Sequence, residues 1–129
     1  MATTTDQERA ESQARAQLES IIEMVSALNT QDDGFVQEEA RQAIQDDPLS
    51  VEVRSGWTVV GAPLEATEYF ILLCWGGPAV RIIGTLDREE PADAKLEYQD
   101  WGISWTAYPT TSEDDAALLE YARQFYFGS

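Results

Sequence analysis

Histidine is absent from this chain of 129 residues, and cysteine and lysine occur once each, as Cys74 and Lys95. A single cysteine cannot form an internal disulfide. Zinc sites are built mainly from cysteine and histidine, so no zinc site is expected. Cys74 also lacks the histidine that would activate it as a nucleophile, and a buried, inert thiol is the expected role. We therefore expect no metal and no cofactor.

Long apolar runs are missing as well. None approaches the roughly 20 residues that a membrane-spanning helix needs. The opening segment, Met1–Asp6, lacks the basic and apolar character of a signal peptide. The expectation is a cytoplasmic protein that does not bind membranes.

Positive charge is scarce, because eight Lys and Arg stand against 24 Asp and Glu and give a net charge of −16. Such a field repels nucleic acid and anionic membranes, so direct binding of either is not expected. It attracts basic surfaces, including the grooves in which other proteins hold nucleic acid. The same acidity also suits solubility or a salt-rich host, and these explanations stay open alongside the functional one.

Two apolar runs of strand length, residues 68–75 and 79–86, flank the break Gly76-Gly77-Pro78. This pattern predicts a β-hairpin inside a sheet. Alternating or short apolar segments predict further strands. These are residues 49–56 with Trp57–Val60 as a continuation, 95–101, and 103–108, the last as either a short strand or an irregular aromatic segment.

Apolar residues spaced three to four apart predict three helices, over residues 6–28, 35–45 and 112–127, the last with Ser112 as its capping residue. The fold class is therefore α+β. We expect an N-terminal helical hairpin, an antiparallel β-meander of four or five strands, and a C-terminal helix packed on one sheet face. Residues 1–129 form one predicted domain. Its parts are a disordered segment (1–5), a helical part (6–46), a sheet (49–108) and the last helix (112–127).

Neighbouring carboxylates recur along the chain, as at Asp32-Asp33 and Glu38-Glu39. Catalysis by paired carboxylates needs two groups about 5–10 Å apart across a cleft, whereas adjacent residues point in different directions. Residues 32–39 also lack the ligand spacing of a calcium-binding EF-hand loop. No catalytic residue is predicted, and we expect a protein that is not an enzyme.

Carboxylates along the first two helices instead predict a band of negative charge resembling a phosphate backbone. Such a band favours fast, salt-sensitive association with a channel lined by Lys and Arg. The predicted partner is the basic surface of a nucleic-acid-binding protein complex. The residues chosen for this contact are Glu19, Glu23, Asp32, Asp33, Glu38 and Glu39.

Aromatic residues are concentrated in the β half of the chain, and most of them are expected in the core. Beside Arg54 and Arg81 they offer an alternative, a partner-binding or self-association surface on an exposed sheet face, with a homodimer as one form. The residues concerned are Trp57, Trp75, Trp101, Trp105, Tyr98 and Tyr108.

Several segments resemble a family of small acidic proteins carried by bacterial phages, prophages and plasmids. The matching text comprises residues 46–57, 71–84, 99–101 and 121–128, within a region of roughly 40–128. The resemblance implies a mobile-element origin and a location in the cytoplasm of the bacterial host. It carries over no catalytic residue.

Taken with the charge, this setting leads to the functional hypothesis. The chain is expected to be a non-enzymatic inhibitor of a host nucleic-acid-handling defence complex, of the anti-CRISPR or antirestriction type, with DNA mimicry as a mechanism. The alternative is an interaction or assembly module that acts through the aromatic sheet face.

Overall fold

The computed structural model describes residues 6–30, 33–76, 78–100 and 104–127. The predicted disordered segment 1–5 lies outside these ranges. The described helices are α1 (Asp6–Leu28), α2 (Gly34–Asp46) and α3 (Ser112–Ala122). The described strands are β1 (Ser50–Ser55), β2 (Ala66–Cys74), β3 (Ala79–Asp87), β4 (Glu90–Pro91), β5 (Lys95–Gln99) and β6 (Thr106–Ala107). The prediction of an α+β fold with helices at both ends of a meander is confirmed.

The strands form one antiparallel sheet in the order β1-β2-β3-β5-β6, and the short β4 pairs with the end of β3. The predicted hairpin is therefore β2–β3, and it lies inside the sheet. Its two strands join in register from Glu68 opposite Thr85 to Leu72 opposite Arg81. Strand β1 is one edge of the sheet, and the two-residue β6 is the other.

The core lies between one face of the sheet and the helices. Alternate residues of β2, β3 and β5 point to this face, for example Ile71, Ile82 and Leu96, which are almost completely buried. Helix α1 packs against β3 and β5 and also contacts both α2 and α3. A stripe of small and apolar residues on α1 makes these contacts possible, consisting of Ala10, Ala14, Leu18, Ile21 and Val25.

The structure corrects three sequence-based boundaries. Trp57–Val60 does not extend β1, because the chain turns where Ala62 N–H donates to the Val59 carbonyl oxygen and Gly61 has a φ of 91°. Thr111, not Ser112, caps α3. The Thr111 hydroxyl accepts from the Asp114 N–H, and the Asp114 carboxylate accepts from the Thr111 N–H. Helix α3 also ends at Ala122, five residues earlier than predicted.

Two buried tyrosines connect α3 and the sheet to loop segments. Tyr121 donates to Asp47 Oδ2 at 2.7 Å, and Tyr69 donates to the Asp93 carbonyl oxygen at 2.6 Å. Burial raises the pKa of both hydroxyls, and the acidic neighbours Asp47 and Asp93 raise these pKa values further. The folded chain therefore keeps both phenolic protons at a pH where an unfolded chain loses them.

We expect the free energy of unfolding to fall as the pH rises above about 10, the ordinary pKa of tyrosine. Above that pH the unfolded state binds fewer protons than the folded state, so each such tyrosine lowers the stability by about 1.4 kcal/mol per pH unit. Urea unfolding between about pH 9 and about pH 11 measures this slope. Tyr121→Phe should reduce the slope, and an unchanged slope in that variant would show that Tyr121 does not titrate as described.

Candidate protein-binding surfaces

The outer side of α1 carries two of the predicted contact residues. Glu19 and Glu23 are exposed and lie one helical turn apart, on the side opposite the buried stripe. The helix cannot rotate to bury them, because Ile21 and Leu18 fill the core on its other side. These two carboxylates therefore face solvent on a fixed support.

The other predicted contact residues, on α2 and just before it, differ in their surroundings. Glu39 is exposed. Glu38 forms an ion pair with Arg41 at 2.7 Å, and Asp33 caps the helix by accepting from the Val36 N–H at 3.1 Å. Glu38 and Asp33 thus have local partners that the sequence reasoning did not assign to them. Asp32 lies outside the described residues. We refer to the exposed Glu19, Glu23 and Glu39 as the acidic helical face.

Several arginines are held by contacts within the chain. Arg15 donates to the Tyr108 hydroxyl at 3.3 Å, and Arg123 donates to the Pro91 carbonyl oxygen at 3.2 Å. Arg81 pairs with Glu97 at 2.8 Å, and Arg54 pairs with Glu68. Residues 6–46 contain ten Asp and Glu against three Arg. The helical half of the chain therefore presents a strong excess of negative charge.

A groove crosses the sheet face opposite the helices. Its volume is about 510 Å³, and its lining includes Phe70 and Ile83 together with the ion-paired Arg54 and Glu68. At its side, the Arg81 guanidinium lies over the Trp105 ring, 4.1 Å from the ring centre. Of the residues predicted for an aromatic sheet face, Trp105 lies beside this groove, and Phe70, which was not among them, lines it.

Two ionisable side chains at or beside this groove have shifted pKa values. The hydrogen bond from Arg54 lowers the pKa of Glu68, so Glu68 is a carboxylate at neutral pH and cannot act as a proton donor there. Cys74, on the neighbouring part of β2, is half-buried, and burial raises the pKa of its thiol. A thiol with a raised pKa is a weaker nucleophile at neutral pH.

The aromatic residues are distributed differently from the prediction. Tyr98 is buried, and Tyr108 packs beside the core, as expected. The expectation of a core position is wrong for Trp57 and Trp75, which are exposed. Trp101 lies outside the described residues.

Trp57 belongs to a segment that the sequence reasoning interpreted as a strand. Residues 56–65, here called the apolar loop, connect β1 to β2. Their large apolar side chains are largely or completely exposed, namely Trp57, Val59, Val60 and Leu64. The signal that could have identified a loop was present, since Gly56, Gly61 and Pro63 interrupt the segment. Exposed tryptophan is a typical anchor residue of protein interfaces.

No group of three or more acidic or cysteine side chains is placed to hold a metal ion within the part of the chain that the structure describes. None of the described helices has an apolar stretch long enough to cross a bilayer. Comparisons of the chain with protein-family models, with curated proteins and with solved structures found no match. The surfaces are therefore interpreted from their own chemistry.

Proposed function

We propose that the chain is a non-enzymatic binding protein whose acidic helical face contacts the basic surface of a nucleic-acid-binding protein complex. The observation that carries this proposal is the exposure of Glu19, Glu23 and Glu39 in a helical segment with ten acidic residues and three arginines. A basic channel that binds nucleic acid offers the complementary charge. Occupation of that channel excludes nucleic acid and inhibits the complex.

The rigidity of the support favours this mechanism. Helix α1 is fixed by contacts with β3, β5 and both other helices, so its carboxylates are positioned before any partner arrives. Preorganised groups lose less conformational entropy on binding. Glu19 and Glu23 are about 6 Å apart along the helix axis. The proposed mimicry rests on the charge of these carboxylates.

The narrower form of the proposal names the partner class. We assign the chain to a mobile element of bacteria and its partner to a host defence complex, either a CRISPR effector or a restriction enzyme, in the host cytoplasm. This narrower class depends on the resemblance to small acidic phage and plasmid proteins. The charge argument stands without it.

Changing Glu19, Glu23 and Glu39 together to lysine should weaken partner binding by about tenfold or more, because long-range attraction contributes factors of this size to association rates. The parent and the variant are immobilised and exposed to a bacterial lysate at about 50 mM and about 500 mM salt. A retained partner is then purified, and its affinity is measured with duplex DNA as competitor. Binding of the parent should fall with salt and with added DNA.

A second triple variant, with Glu65, Glu89 and Glu90 changed to lysine, gives the same net charge and serves as the matched control. All three positions are exposed and lie outside the helices. The control should bind nearly as well as the parent. An equal loss of binding in both variants would indicate that the net charge of the whole chain, and not the acidic helical face, attracts the partner. Unchanged binding in the helical variant would refute the mechanism.

A further inference from the structure

Strand β1 is a sheet edge that lacks lysine and proline, two of the usual protections against pairing with another strand, although its pairing with β2 shifts register between Arg54 and Ser55. Among the described residues it pairs only with β2, so the backbone groups on its outer side are available. Natural edge strands are commonly protected by lysine, by proline or by being very short. Ser50–Ser55 is six residues long and contains neither lysine nor proline, whereas the opposite edge, β6, has two residues.

This edge also belongs to a segment of low charge, where two copies repel each other weakly. Residues 49–64 contain one acidic and one basic residue, Glu52 and Arg54, and are neutral in sum. All of the net charge of −16 is therefore carried by the rest of the chain. Like net charge opposes self-association, so a contact between copies is least unfavourable at a neutral segment.

Apolar side chains are exposed along the same edge. Val53 is 47% exposed although it points to the helix-covered face, and Leu49 at the start of the strand is 63% exposed. Trp57, two residues after the strand, is fully exposed. These three residues lie at the middle and the two ends of one edge.

We infer that β1 pairs antiparallel with β1 of a second copy, with Val53 opposite Val53 of that copy. In this register Glu52 lies opposite Arg54 of the second copy, and the symmetry makes this contact twice. Arg54 also pairs with Glu68 of its own β2, so Glu52 of the second copy approaches the guanidinium from the other side. Opposite charges at directly opposed positions stabilise a strand pair. Leu49 of each copy then lies near the end of β1 of the other, from which the apolar loop with Trp57 continues, so these exposed apolar side chains can be covered.

The sequence of β1 disfavours two kinds of competing register. A register centred on Glu52 places the two Glu52 carboxylates opposite each other, and like charges in that position are destabilising. A register centred between two residues joins the helix-covered face of one copy to the open face of the other, because side chains alternate along a strand. The contact centred on Val53 is self-complementary and closes as a two-fold dimer.

The apolar loop supplies the additional area that the strand pair needs. A stable interface buries about 800 Å² on each partner, and one tryptophan contributes about 150–250 Å². The edge strand and Trp57 are therefore required together. This dimer does not depend on the proposed partner binding, because none of its contact residues belongs to the acidic helical face. The two contacts also respond to salt in opposite directions, since salt screens the repulsion between copies and also screens attraction to a basic partner.

The test uses two charge reversals, Glu52→Arg and Arg54→Glu, in the full chain. Sedimentation equilibrium of the parent should give a dimer that strengthens from about 50 mM to about 500 mM salt. Each variant alone places like charges opposite each other at two positions. Its self-association should therefore be at least about tenfold weaker than that of the parent. An equimolar mixture of the two variants restores opposite charges at both positions and should form a heterodimer.

Glu19→Arg is the matched control, because it makes the same change on α1 and should leave the dimer intact. Circular dichroism establishes that each variant is folded. If Arg54→Glu does not fold, Val53→Lys takes its place, since it sets two ammonium groups opposite each other and should abolish the dimer. A monomeric parent up to high micromolar concentration would overturn the inference. So would variants that dimerise like the parent, or a mixture that associates no better than its components.

Discussion

Replacing Gly84 with alanine is expected to destabilise the protein by about 3 kcal/mol or more. A Cβ atom at this position of β3 would lie 2.2 Å from the Asp93 carbonyl oxygen and 2.7 Å from the Tyr69 ring. The Asp93 oxygen belongs to the backbone, and the Tyr69 hydroxyl donates to that same oxygen. Neither group can move away without breaking a buried hydrogen bond, so the added methyl group must displace the strand.

Urea or thermal unfolding, followed by circular dichroism, measures this loss. Gly34→Ala is the matched control, because a Cβ atom there has no neighbour within 4 Å in the part of the chain that the structure describes, and Gly34 begins α2. Alanine favours the helical state over glycine by up to about 1 kcal/mol, so the control should be neutral or slightly stabilising. Equal stability of Gly84→Ala and the parent would contradict the close approach of β3 to the Asp93 backbone.

Local patterns were sufficient to predict most of the fold. The apolar stripe of α1 gave the bounds Asp6–Leu28, because a helix that covers a sheet must repeat every 3.6 residues. The continuous apolar run of β2 likewise indicated an interior strand, and β2 lies between β1 and β3 with one face buried and the other partly buried. These features depend on burial, and burial imposes a recognisable pattern of apolar positions on the sequence.

The errors occurred where tertiary contacts decide the structure. Val59 and Val60 have strong strand propensity, but no neighbouring strand accepts them, and the chain turns at Gly61. Tryptophan content likewise did not reveal that Trp57 and Trp75 are exposed. Gly84 in the middle of an apolar strand was a sign of close backbone approach. The group that approaches it, the Asp93 backbone, could not be predicted, because composition does not specify the path of the chain between these two residues.

The candidate site was predictable in part. Helical periodicity correctly placed Glu19 and Glu23 away from the core stripe of α1. The local contacts of Asp33 and Glu38 also had sequence signals. Asp33 precedes the helix by one residue, and Glu38 stands three residues before Arg41. The neutral edge of β1 was not recognised, because the order of strands in the sheet determines which strand is an edge.

The second large effect on stability concerns the packing of α1 against the sheet. Ile21→Ala should lower the free energy of unfolding by about 2–5 kcal/mol, because it removes a completely buried side chain and leaves a cavity between α1 and the core. The neighbouring Ile22 is 37% exposed on the other side of the helix and offers the same chemical change as a control. Ile22→Ala should cost less than about 1 kcal/mol.

Urea unfolding of the two variants separates packing from helix propensity, because alanine replaces isoleucine in the same helix at adjacent positions. Similar losses in both would mean that α1 is not fixed by the stripe that contains Ile21. That result would also weaken the proposed function, since Glu19 and Glu23 could then turn away from the solvent side. A large loss of stability in Ile21→Ala alone would show that the positions of Glu19 and Glu23 depend on the packing of Ile21, which lies between them in the sequence.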